Sequence, residues 1–183
     1  MARAPTFFPR WTFAVPAVMP LIGFATAAVA QLSETAVKAA FLPKFARYVE
    51  WPPAARLAPG TAFGVCTLGG DPFGRLLDEA AAGQRVGANP IAVRRIATVQ
   101  QAGGCHVLFV QGSGAGRALA ALRNQPILTV TDSRNSAARG MVHFAVAGGR
   151  VSFHVDDEMA AGSRLTISSR LLAVALSVRQ RRS

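Results

Sequence analysis

Two adjacent glycines, Gly148 and Gly149, divide the run 141–155 into two halves of alternating character. Paired glycines supply the positive φ angles of a two-residue hairpin turn, so 141–147 and 150–155 are predicted as its strands. In that register Val142 faces Val155, Phe144 faces Phe153, and Val146 faces Val151. One face is therefore wholly apolar. The other pairs His143 with His154, Ala145 with Ser152, and Ala147 with Arg150. A slip of one residue would mix the two faces, so the pattern specifies the register.

The residues ahead of the hairpin have a different rhythm. Short apolar runs at 62–68, 91–96, 105–110 and 127–131 predict strands, and CHVLFV at 105–110 has the continuous apolar character of a strand buried on both faces. Between them, Asp71 and Pro72 predict the cap and first residue of a helix over 73–82, and 115–122 predicts another. After the hairpin, Leu171, Leu172, Val174, Ala175 and Val178 form a helical stripe over 167–178. Strand and helix alternating in this way predict an α/β fold: a mixed, mostly parallel sheet with a C-terminal antiparallel hairpin, flanked by helices.

Residues 36–52, AVKAAFLPKFARYVEWP, predict the first helix. Val37, Ala40, Phe41, Phe45, Tyr48 and Val49 recur at helical spacing. Ser33 is placed to cap its start, and Trp51-Pro52 to end it. Pro43 lies inside the pattern, where it costs ~3 kcal/mol unless the helix bends. A bend there would free Lys44 from the apolar stripe. The aromatic residues Phe41, Phe45, Tyr48 and Trp51 are either the ordinary core face of a kinked helix or a docking surface.

Residues 1–30 have the form of a secretory leader: Arg3 and Arg10, an apolar run over 13–28, and the small-residue site Ala28-Val29-Ala30. The apolar run is shorter than the ~20 residues that span a bilayer, and Pro16 and Pro20 interrupt it. The expected mature domain is 31–183, with no second domain, repeat or linker. The formal charge of the whole chain is +11 at pH 7, and all but two of its basic residues are arginine. An exported chain does not meet nucleic acid. The counterparts such a charge implies are anionic head groups, cell-wall polymers or an acidic protein face, and a solvated basic surface is the plainer reading. Cys66 and Cys105 are the only cysteines. An even count in an oxidising compartment suggests a disulfide, with two buried free thiols or, at this spacing, a much less natural metal pair as the alternatives.

No catalytic constellation is visible, so no enzyme, cofactor or metal is expected. Asp156-Asp157-Glu158 stands where it would cap a helix. Gly112-Ser113-Gly114-Ala115-Gly116 follows a strand and precedes a helix but lacks the Lys-Ser/Thr of a phosphate loop. Ser168-Ser169 has no nucleophile-elbow glycines around it. The opposed His143 and His154 offer two metal ligands without a third, or a pair that senses acidity because two charged imidazoles repel. The plainest reading is a satisfied neutral pair.

The run from Lys38 to Pro52, KAAFLPKFARYVEWP, resembles the opening signature of the YfiR family of periplasmic proteins, which more often has Tyr-Asn where Pro43-Lys44 stands here. Further matches follow in order: Val65-Cys66, Asp71-Pro72-Phe73-Gly74, Cys105-His106-Val107-Leu108-Phe109, 128–132, 140–144, 151–153 and 165–172. The resemblance implies an α/β domain able to dimerise, with Cys66 and Cys105 as the family disulfide. A second bridge near the last hairpin, present in some members, has no cysteines here. The resemblance also implies a function. Such a protein binds the periplasmic part of an inner-membrane diguanylate cyclase, holds it inactive, and is itself sequestered by an outer-membrane lipoprotein, which sets cyclic-di-GMP levels and biofilm formation. A periplasmic small-anion-binding module without a cyclase partner is the alternative.

Overall fold

The computed structural model describes Met1 and residues 25–181, with side chains from Glu34 onward. Residues 2–24 of the leader expected over 1–30 lie outside the described residues. The strands are β1 (Val49–Glu50), β2 (Phe63–Leu68), β3 (Arg85–Val86), β4 (Asn89–Ile96), β5 (Cys105–Val110), β6 (Leu128–Asp132), β7 (Val142–Ala147), β8 (Arg150–Asp156), β9 (Thr166–Ile167) and β10 (Ser177–Arg179). The helices are α1 (Ala25–Phe45), α2 (Arg75–Ala81), α3 (Ala115–Ala121), α4 (Asp157–Gly162) and α5 (Ser169–Ala173).

Eight strands form one sheet in the order β10-β8-β7-β6-β5-β2-β4-β3, and β1 pairs with β9 in a separate two-stranded ladder. From β4 to β7 all neighbours are parallel. The β3–β4 and β7–β8 pairs are antiparallel, and β10 runs parallel to β8. The fold is α/β, mixed and mostly parallel, with the antiparallel hairpin near its C-terminal end. The hairpin register is the predicted one at every pair. Gly148 and Gly149 both have positive φ, as a type I′ turn requires.

The central strands β2, β5 and β6 are buried along their whole length because helices cover both faces of the sheet. On one face α1 supplies Leu42 and Phe45, and the turn after it Ala46, against Val65, Val107, Val130, Phe144 and Phe153. On the other, α3 and the segment before β6 close over Cys66, Leu68, Leu108 and Val110.

Three expectations are corrected. The first helix extends through Ser33 rather than starting there. It gives way after Phe45 to a single 3-10 turn, and Val49 and Glu50 are strand, not helix. Their backbone is satisfied by Ile167 and Thr166, a partner that local periodicity does not reveal. Lys44 is exposed, as expected. The second helix begins at Arg75, not 73. Asp71 does not cap it: one carboxylate oxygen accepts the Phe73 N–H at 2.9 Å and the other meets Arg95 Nε at 2.8 Å, holding 71–74 as a turn. The helical stripe expected over 167–178 is three elements. Ile167 belongs to β9, Ser168 caps the short α5, and 177–179 form the edge strand β10. The free edge of β8 draws the segment into the sheet, and Leu176 N–H donates to Phe153 O at 2.8 Å.

Candidate functional site

The aromatic end of α1 separates into inside and outside. Phe45 is 1% exposed and Trp51 8%. Phe41 and Phe45 stack at 5.6 Å and meet the hairpin rings Phe144 and Phe153 at 5.2–6.1 Å. Trp51 lies edge-on to Phe63 at 5.0 Å and its Nε1–H donates to Pro126 O at 3.0 Å. Phe45 and Trp51 are therefore core residues, because the hairpin's apolar face and the start of β2 close over them. Phe41 is half-buried, and Tyr48 is 40% exposed. Ser168 N–H donates to Tyr48 O at 2.9 Å, which ties this corner to the segment carrying Val174 and Leu176, 69% and 55% exposed.

A buried ionic cluster on α1 escaped the reading of the sequence. Lys38 is buried, and its Nζ reaches Glu34 Oε1 at 2.5 Å and Asp132 Oδ2 at 2.6 Å. Arg134 meets Glu34 from the solvent side at 2.8 Å. Burial raises the pKa of Glu34, but hydrogen bonds and charges from Lys38 and Arg134 outweigh it and hold the carboxyl below its ordinary 4.5. Each ion has a partner, so the cluster clamps α1 to the end of β6. A stripe that ran through Val37 and Phe41 left Lys38 on the supposed solvent side.

His143 and His154 do face one another, with ring centroids 6.4 Å apart and nearly parallel planes. Each has its own hydroxyl: Thr131 Oγ1 lies 2.8 Å from His143 Nδ1, and Ser177 Oγ 2.6 Å from His154 Nδ1. Burial pushes the His143 imidazole below its ordinary value, the charges of Arg139 and His154 add to this, and Asp132 opposes it. No group of three or more His, Cys, Asp or Glu able to hold a metal occurs among the described residues.

The third histidine has a definite task. The β2–β5 register shifts between Gly64 and Val65, which face Cys105 and Val107 and leave His106 as the extra residue. Gly64 N–H, denied a ladder carbonyl, donates to His106 Nδ1 at 3.2 Å. A backbone N–H only donates, so Nδ1 is the unprotonated nitrogen. The ring stacks on Phe63 at 4.3 Å, and burial pushes its pKa down, partly offset by hydrogen bonding to the backbone at Ala55 and Gly104.

Cys66 and Cys105 are bonded, with Cα atoms 5.8 Å apart, and join β2 to β5. The acidic cluster does cap a helix: Asp156 Oδ1 accepts the Met159 N–H at 2.8 Å. It also gathers the C-terminal arginines. Arg179 reaches Glu158 at 2.8 Å, and Arg181 meets both oxygens of Asp157 at 2.7 and 3.0 Å. Those cations are held by carboxylates rather than simply solvated. Ser168 serves as the α5 cap, its Oγ accepting from Leu171 N–H at 3.4 Å. No helix among the described residues is long and apolar enough to cross a membrane.

No curated protein matches the chain. The model of the YfiR/HmsC-like family matches residues 35–176, from within α1, one residue after Glu34, to the residue before β10. That span includes the disulfide, the histidine-filled bulge and the hairpin, and the chain belongs to the YfiR/HmsC-like family.

Proposed function

We propose that this protein is a periplasmic regulator that represses an inner-membrane diguanylate cyclase by binding the cyclase's periplasmic part. The observation that carries the reading is the family match over 35–176. A leader over 1–30 removed after Ala30, and a disulfide that persists only in an oxidising compartment, are consistent with it. Repression needs no chemistry from this chain. Binding to the inactive arrangement of the cyclase's sensor shifts its population, by no more than the difference in affinity for the two states. An outer-membrane lipoprotein that captures the regulator would restore cyclic-di-GMP synthesis and biofilm formation. A homodimer is the proposed free form.

Of the four aromatic residues expected at the contact, Tyr48 and the open edge of Phe41 are available to a partner. Phe45 and Trp51 hold that corner in shape from inside. Val174 and Leu176, on the segment that Ser168 joins to Tyr48, are further exposed apolar side chains. The test is a pull-down from membranes, with and without reductant, alongside cyclic-di-GMP measurement in a deletion strain. The expected results are capture of a membrane cyclase, a rise in cyclic-di-GMP on deletion, and loss of capture by Tyr48→Asp at unchanged Tm. Unchanged cyclic-di-GMP in the deletion strain rejects the function.

A further inference from the structure

The main sheet opens where its connections part. From β2 the chain crosses to β4 through α2, on the α1 side of the sheet. From β5 it crosses the other way, to β6, through α3 on the opposite side. The loops leaving β2 and β5 therefore diverge. In open α/β sheets the crevice outside the carboxyl ends of two such strands is the place where ligands bind.

A cavity of about 310 Å³ lies elsewhere, beside Trp51 and His106. The crevice at the parting strands holds about 690 Å³, within the ordinary range for a small-molecule site. Its walls are Leu68 at the end of β2, Val110 at the end of β5, Val99 after β4, and Ala118 on α3. Thr98 is fixed there by a capping box in which Gln101 Oε1 accepts the N–H groups of Ala97 and Thr98 at 2.8 and 3.3 Å. The two strand ends lock together: Gln111 N–H donates to Leu68 O at 3.1 Å, and a Cβ on Gly69 would stand 2.2 Å from Gln111 O. The site is thus preformed, and part of its floor is the layer that contains the Cys66–Cys105 bridge.

Its charge is one-sided. Arg117 is at the rim, and no carboxylate lines the cavity. Arg95, Arg134, Arg179 and Arg181 each have carboxylate partners. Arg117 has no hydrogen bond or ion pair among the described residues. An unpaired guanidinium above an apolar hollow fits a ligand that is anionic at one end and apolar at the other.

We propose that this crevice binds a small organic anion, with its carboxylate or phosphate on Arg117 and its apolar body against Leu68, Val99, Val110 and Ala118. The proposal does not rest on cyclase repression, and either can fail without the other. The probes are 1-naphthoate and 1-naphthyl phosphate, with uncharged 1-naphthamide as the control, titrated into the whole protein and followed by backbone amide NMR. Saturable shifts at Gly69, Thr98 and 111–114 with an anion, and at least about tenfold weaker binding of the amide, are expected from the strength of a charge-assisted hydrogen bond. The preferred anion identifies the head group. Arg117→Gln should weaken anion binding by a similar factor and Arg123→Gln should not. Ala121→Phe, at an exposed lining position, should block the site while Tm holds. No saturable binding by either anion, shifts outside the crevice, or equal loss in both arginine variants overturns the proposal.

Discussion

At the residue scale, the bulge at Gly64 shows how one side chain replaces a missing backbone partner. His106→Leu keeps the apolar volume but orphans the Gly64 N–H, at a cost of about 1–3 kcal/mol. The loss is read from chemical denaturation, and an unchanged midpoint would mean that the imidazole does not serve as the acceptor. Gly64 itself has no room for a side chain, since a Cβ would stand 2.1 Å from Gly104 O. Gly64→Ala should destabilise by a further ~1–3 kcal/mol of overpacking. Acidity acts on the same atoms. His106 and His143 both have pKa values depressed below 6.5, so the folded state favours their neutral forms. Their contribution is complete above about pH 6.5 and declines as pH falls through the lowered folded values. The Glu34 carboxyl, also depressed, acts only below its ordinary 4.5, so the window from about pH 6.5 to 5 isolates the imidazoles. Tm should be flat above that window and fall within it, and His143→Asn should make the fall shallower. An unchanged slope in His143→Asn rules out acid sensing by the hairpin pair.

At the element scale, α1 is held by apolar packing and by the Glu34–Lys38–Asp132 cluster, whose central pair spans 94 positions of sequence. Lys38→Ala should cost about 3–5 kcal/mol, because it leaves Asp132 charged and buried without its cation. Lys38→Met with Asp132→Leu should recover most of that loss. A double mutant as unstable as the sum of its parts would mean that the two groups act separately. The same element explains what could be read from sequence. Phe41 and Phe45 were visible in the apolar spacing, but the helix ends at Phe45, short of Trp51, and its buried face is turned toward Lys38, Ala39 and Leu42. That rotation depends on Asp132, which no local pattern connects to Lys38. The hairpin was legible residue by residue because its face, turn and register are all encoded within 141–155. The segment 167–178 was not. Its apolar spacing suits a helix, yet β1 and the free edge of β8 claim its two ends. Short apolar runs are decided by such distant partners.

At the scale of the whole molecule, the Cys66–Cys105 bridge spans 39 positions and closes a loop containing α2, β3 and β4. That loop is one wing of the sheet, and apart from the bridge it is held chiefly by β2–β4 pairing and by α2 against α1. The other wing, from β6 to β10, lies outside the loop and contains the hairpin and its aromatic cluster. Opening the bridge should therefore act unevenly. In the chain-entropy model a loop of this length is worth about 4 kcal/mol, a large part of the stability of a domain this size. Cys66→Ala with Cys105→Ala should lower the unfolding free energy by up to about that amount. In hydrogen exchange, the amides of β3 and β4 should lose protection before those of β7 and β8. The bridge belongs to the same apolar layer as Leu68 and Val110, which wall the crevice bearing Arg117, so loosening the wing should blur that cavity while leaving the Tyr48 corner intact. Equal stability with the bridge open and closed, or exchange that rises uniformly across the sheet, would show that the disulfide records the compartment and does not support the fold.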